Sequence, residues 1–306
     1  MYKCWLYLIG SLLLAASSLE GQNLATRLGF AADAKLLIIH ADDLGCTHST
    51  NQASFKALEE GVVNSASIMM PTPWVAEVAE YARTHPEADL GLHLTLTSEW
   101  EWLKWGPVAS LTEVPSLVDS NGYFYPLCHL MAAGARPAEV KIELRAQIER
   151  AYRMGIEPTH LDSHMGCLIF SSTDIFRVYL ELGRTYGLPI LIEEGLPEEL
   201  LELVTPDDIV ITASYCAEPR HFASEEGLVG YYENLLRNLG PGVHDLLIHC
   251  AHNDRESKGM APYTENYGAA WRQADYDFFR SIACDRLLQE QDIQLVTWRQ
   301  IKALLE

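Results

Sequence analysis

Positive charge is what this chain has least of. Its 306 residues carry 22 Lys and Arg against 42 Asp and Glu, a formal charge of −20. A nucleic-acid partner is therefore not expected, because phosphate backbones are held by clustered Lys and Arg. Neutral or cationic ligands suit the chain better. The seven cysteines include no CxxC pair: Cys4 is near the start, and Cys46, Cys128, Cys167, Cys216, Cys250 and Cys284 are scattered. Disulfides are open to them in an oxidising compartment, but spacing assigns no pairs; small buried residues at strand ends are the simpler reading of Cys46, Cys167 and Cys250. Internal repeats, low-complexity tracts and long Pro, Gly or Ser linkers are also missing, so one domain is the simplest parse.

Nor is there an apolar run of membrane-spanning length. The opening "MYKCWLYLIGSLLLAASSLEGQ" puts Lys3 ahead of about a dozen apolar residues and then small ones, the shape of a secretory signal peptide and too short to favour a span. The expectation is a leader at 1–18, a mature domain at 19–306 and a secreted or periplasmic protein. The alternative is an uncleaved apolar helix packed on the domain of a cytoplasmic protein.

What the chain does have is alternation. Short apolar, β-branched runs recur at 35–41, 65–70, 90–96, 158–164, 188–194, 207–213, 244–251 and 292–298. Helical patterns separate several of them, at 51–61, 137–155 and 173–187. Strand and helix in turn argue for an α/β fold with a mostly parallel sheet, and this many units suit a closed or partly closed (β/α) barrel.

In such barrels the active site lies at the C-terminal ends of the strands. Asp42 and Asp43 end the first run, His93 sits in the third, His160, Asp162 and His164 in the fourth, and His249 and His252 at the end of the seventh. Four segments deliver ionisable groups to one edge. Successive strand residues face opposite ways, so both aspartates reach one pocket only if the strand stops there; Gly45 and the polar residues after it suggest that it does. Two adjacent carboxylates repel, and a divalent cation removes the conflict. The candidate ligands are one Asp of the pair, His93, and either His160 or His164. The other carboxylate is free to take a proton from water, and His249 is the candidate acid, which outlines a metal-assisted hydrolase. Taken singly, each feature has an ordinary explanation: aspartates favour turns, and a lone histidine is commonly a satisfied core residue.

"HADDLGCTHSTNQA" (40–53), "GLHLTLTSEW" (91–100) and "PTHLDSHMG" (158–166) resemble the three signature blocks of the YdjC-like carbohydrate deacetylases, relatives of the polysaccharide deacetylases. The resemblance runs from about Lys35 to the C-terminus and takes in "LLIHCAH" and "WRQADYDFF", the latter holding Arg272. It implies an irregular (β/α) barrel of seven or eight mostly parallel strands. It implies Asp43, His93 and His164 as ligands of one divalent ion, Mg²⁺ or Zn²⁺, Asp42 as general base and His249 as acid. The activity implied is removal of acetyl from an N-acetylated sugar, with a carbohydrate as partner and a homodimer compatible. His160, Trp100 and Arg272 are candidate substrate contacts. Where many members carry further histidines after the third block, this chain reads Met165-Gly166-Cys167, so its pocket wall differs. Two rival readings are a metal-dependent hydrolase of another acyl or phosphoryl bond and a non-catalytic sugar-binding protein.

Two stretches stand apart from the blocks. The insertion between His93 and the helix at 137 is rich in Trp, Tyr and Phe, able to stack on sugars or to pack the insertion down. The polar segment 252–268 is a candidate lid.

Overall fold

The computed structural model describes residues 23–262 and 265–305. The leader expected at 1–18 lies outside the described residues. Among these residues seven parallel strands form a single curled sheet: β1 Lys35–Leu44, β2 Ser65–Ile68, β3 Leu90–Leu94, β4 Leu161–Ser163, β5 Ala213–Cys216, β6 Gly242–Ile248 and β7 Ile293–Leu295. The order is β4-β3-β2-β1-β6-β5, with β7 also against β1. β7 pairs with Lys35 to Leu37 and β2 with His40 onward, so the two share one edge of β1. Asn64 fills the seam, its Oδ1 accepting from Ile39 N (2.8 Å) and its Nδ2 donating to the Val296 carbonyl (2.6 Å).

The run at 188–194 is not a ladder strand. It touches β4 through a single bridge, Leu161 to Ile190, then changes partner and bridges Glu193 to Ile211, closing the ring between β4 and β5. Pro189 has no N–H to extend a ladder; its carbonyl accepts from Leu161 N. The run expected at 207–213 starts late, because Asp208 caps a turn by accepting from Thr205 N (2.7 Å), and the strand begins only at Ala213. The barrel is thus irregular on the side where these two runs lie.

Outside the sheet, the expected helices fall at His48–Glu60, Pro137–Arg153 and Thr173–Tyr186. Alternation along β1 sorts its side chains. Leu37 and Ile39 join the large core beneath the helices, while Leu36 and Ile38 pack inside the ring with Val243, Val296 and Trp298. The inward row then turns polar towards the strand's C-terminal end, at His40 and Asp42. Apolar floor and polar mouth are consecutive positions of one strand face.

Candidate metal centre

β1 does not stop at the aspartates, as the sequence suggested. It runs through both and solves the facing problem with a bulge: Ala41 pairs with Ala66 and Leu44 with Ile68, so one extra residue is held on β1. Asp43 takes the left-handed conformation there (φ 63°). A bulge with one left-handed residue re-aims a side chain, and Asp43 joins Asp42 in the cavity instead of pointing into the helix layer.

Asp43 Oδ1 lies 3.6 Å from His93 Nε2 and 3.5 Å from His164 Nδ1. The ligand atoms of Asp43, His93 and His164 all fall within 4.8 Å of one another. Asp42 Oδ1 and Asp43 Oδ1 are buried and accept no hydrogen bond. Two orphaned carboxylate oxygens facing two imidazole nitrogens is the arrangement that a divalent cation satisfies, and one carboxylate with two imidazoles suits Zn²⁺ or a similar ion. The residues present therefore fit a metal.

Each imidazole is held by a carboxylate on its far nitrogen. His93 Nδ1 donates to Asp162 Oδ1 (2.8 Å), which leaves Nε2 for the centre. His164 Nε2 donates to Glu99 Oε2 (3.0 Å), which leaves Nδ1. The first pair follows from register, since His93 and Asp162 are direct partners on β3 and β4. Asp162 Oδ2 also accepts from Ser67 (2.8 Å) and faces His40 Nε2 at 3.2 Å. Burial alone would raise the Asp162 carboxyl, but His93 and His40 hold it well below the carboxylate range.

The paired aspartates are pushed apart electrostatically. Burial and the neighbouring Asp43 charge raise the Asp42 carboxyl well above its usual value. Asp43 is buried too, but the Arg272 guanidinium and His164 outweigh that and hold it well below. His249 Nε2 sits 3.4 Å from Asp42 Oδ1, and burial together with Arg272 lowers its imidazole to about 3, so it is neutral near pH 7. For His164, burial works downward, yet Glu99 and Asp43 prevail and lift it to about 10.

The remaining expectations divide. Trp100 lines the cavity of about 520 Å³ that holds Asp42, Asp43, His164 and His249. Arg272 lines it as well, but its side chain is 1% exposed; Nη2 donates to Asp43 Oδ2 (2.7 Å) and Nε to the Tyr267 carbonyl (2.7 Å). It is the partner of a ligand carboxylate more than an arm held out to substrate. His160 is not in the site at all. Its ring is fully buried, stacked on Trp298 at 5.0 Å. His40, His160 and Asp162 have metal-like spacing of their own; they form the buried polar layer beneath the centre.

Cys128 and Cys167 form a disulfide, tying the insertion to the segment just after His164, so Cys167 is more than a small buried residue. Within the insertion Trp105 packs inward and donates to the Thr97 carbonyl (2.8 Å), while Trp102 stays exposed. Much of the candidate lid is anchored: Glu256 in its helix Arg255–Met260 accepts from His48 N (3.2 Å) and Ser49 N (2.7 Å). Glu99, Asp162 and Asp275 are site residues to which sequence reasoning gave no role. Asp275 Oδ2 accepts from His249 N (2.9 Å) and Oδ1 from the Tyr232 hydroxyl (2.7 Å).

A parallel α/β barrel thus carries a metal-compatible cluster at its C-terminal mouth. The chain belongs to the family of YdjC-like proteins, whose model matches residues 36–290. It is 34% identical over 294 residues to a carbohydrate deacetylase of Thermus thermophilus, covering 92% of this chain and 99% of that one. A carbohydrate deacetylase of Brevibacillus brevis is 28% identical, covering 87% and 99%. Among solved structures, an Enterococcus faecalis protein described as a candidate for cellobiose-phosphate cleavage superposes with a TM-score of 0.72 at 27% identity, covering 88% of this chain and 99% of that one.

Proposed function

We propose that this chain is a metal-dependent carbohydrate N-deacetylase, which hydrolyses the acetamide of an N-acetylated sugar and releases acetate. The observation that carries the reading is the split aspartate pair: Asp43 faces both His93 and His164, whereas Asp42, 3.7 Å from His93 Nε2, is the one of the pair that faces His249, at 3.4 Å. Relatives named carbohydrate deacetylase over nearly their whole length support the same substrate class. When bound, Mg²⁺ or Zn²⁺ supplies Lewis acidity for the acetamide carbonyl and for the attacking water.

The protein's own groups then divide the work. Asp42 takes the proton from water as oxygen adds to the carbonyl carbon. His249 is held neutral and must receive a proton before it can give one. Asp42, 3.4 Å away, is placed to pass it on. His249 delivers that proton to the sugar nitrogen as the C–N bond breaks, so amine and acetate leave in balance. Asp162 and Glu99 keep the two ligand imidazoles oriented. The same centre would serve another acyl or phosphoryl bond; the names of the relatives are what favour the acetamide.

Acetate release from N-acetylglucosamine oligomers, measured with added Mg²⁺ and Zn²⁺, tests the reading. Asp42→Asn is expected to keep the metal and lose at least about a hundredfold in rate, whereas His164→Ala loses the metal. Near-normal turnover by Asp42→Asn removes Asp42 as the base. The leader-like stretch at 1–18 and the Cys128–Cys167 disulfide support export to an oxidising compartment. N-terminal sequencing of the mature protein checks cleavage.

A further inference from the structure

We propose that His40 is a positioning residue of the metal centre: it holds Asp162, and through Asp162 it fixes the ring of the ligand His93. This rests on the metal reading given above and adds a residue behind the ligand's own partner.

His40 lies on β1 and Asp162 on β4, with β2 and β3 between them. In register, His40 stands opposite Ser65, and Ser67 opposite Gly91. The short side chain of Ser67 and the bare Gly91 leave room, so the imidazole reaches across the inside of the curled sheet. There His40 Nε2 comes to 2.9 Å from Ser67 Oγ and 3.2 Å from Asp162 Oδ2, and its Nδ1 lies 3.1 Å from Ser65 Oγ. Both His40 and Asp162 are buried, which shields these contacts from bulk solvent.

Counting protons fixes the direction of the bonds. Asp162 is ionised and only accepts, and Ser67 spends its single hydroxyl proton on Asp162 Oδ2 (2.8 Å). His40 Nε2 must then carry hydrogen, shared between Ser67 Oγ and Asp162 Oδ2. Burial alone would lower the His40 imidazole, but its hydrogen bond to Asp162 and the Asp245 charge outweigh that and raise it. Both oxygens of Asp162 are thereby engaged, Oδ2 by His40 and Ser67 and Oδ1 by His93 Nδ1 at 2.8 Å. Without His40, one oxygen of a buried carboxylate loses a donor, and the carboxylate is free to turn off the His93 ring. His93 then has no partner to dictate which nitrogen holds hydrogen. In the wrong tautomer Nε2, the nitrogen that faces Asp43, is lost as a ligand.

Calorimetric titration with Zn²⁺ on wild type, His40→Gln and His40→Asn tests this. A glutamine amide can place a donor where Nε2 stands, whereas the shorter asparagine amide reaches only the Nδ1 position, towards Ser65. The expected result is affinity close to wild type for His40→Gln and about tenfold lower for His40→Asn. In an Asp162→Asn background, His40→Asn should cost nothing further, because its path to the ion is already cut. A general disturbance of packing would cost as much in both backgrounds. Equal affinity in the two variants, or full additivity with Asp162→Asn, overturns the proposal. Nitrogen-15 spectra of the wild-type protein keep the test open where a variant fails to fold: His40 Nε2 is expected to carry hydrogen at about pH 7, and a bare Nε2 overturns the proposal as well. A wild-type protein that binds no divalent ion strikes the metal reading and this inference with it, whereas metal binding indifferent to His40 strikes this inference alone.

Discussion

Asp42 and Asp43 are chemically identical neighbours whose surroundings give them opposite acidities, and much of the site's behaviour follows from that. The same logic applies to the carboxylates behind the ligands. Asp162 fixes His93 through Nδ1; such outer partners are worth about 10–100-fold in metal affinity. Asp162→Asn is expected to weaken metal binding by that much in a calorimetric titration while leaving the far-ultraviolet spectrum unchanged. Unchanged affinity contradicts the role. Asp275 makes a prediction about pH. Burial raises its carboxyl to about 7, so between about pH 4 and 7 the folded chain holds a proton that the unfolded chain has lost. Its contribution to stability is full below about pH 4 and is lost as pH rises through 7, by about 4 kcal/mol in all. Relative to Asp275→Asn, the wild-type Tm is expected to fall across that range. At this scale the sequence displayed the ligand types but not their partners. Period two puts His160 and His164 on one face, so spacing could not choose between them; Glu99 reaches His164 from an insertion whose path no local pattern specifies.

Elements set where those residues stand. Strand β1 reads as a buried strand with a polar end, and that was legible from its composition. The bulge was not, because it is a one-residue mismatch against β2 that only the pairing reveals. Gly91 on β3 is a second case of tertiary control. A Cβ there would run into the His160 ring, which explains a glycine inside a strand better than any turn does. Gly91→Ala is expected to cost about 1–3 kcal/mol in denaturant unfolding. Combined with His160→Ala it should cost less than the two changes summed, as for residues in contact; strict additivity contradicts the contact. The run at 188–194 looked like its neighbours in composition, yet Pro189 and a change of partner reduced it to two bridges.

Across the whole molecule, the parallel barrel and the edge that gathers the ionisable residues could both be anticipated from alternating runs with ionisable ends. Closure through single bridges, Leu161 to Ile190 and Glu193 to Ile211, could not, since no local pattern specifies those partners. The fold brings four separated segments to one mouth and ties the aromatic insertion to the residues after His164 by a disulfide. The central claim is that the aspartate pair divides metal binding from proton transfer. Metal content and acetate release, measured together on wild type and Asp42→Asn, test it most directly. The account expects about one divalent ion per chain in both proteins, with acetate released only by the wild type and abolished on chelation. Near-normal acetate release by Asp42→Asn, or release by wild type that survives full removal of metal, would contradict it.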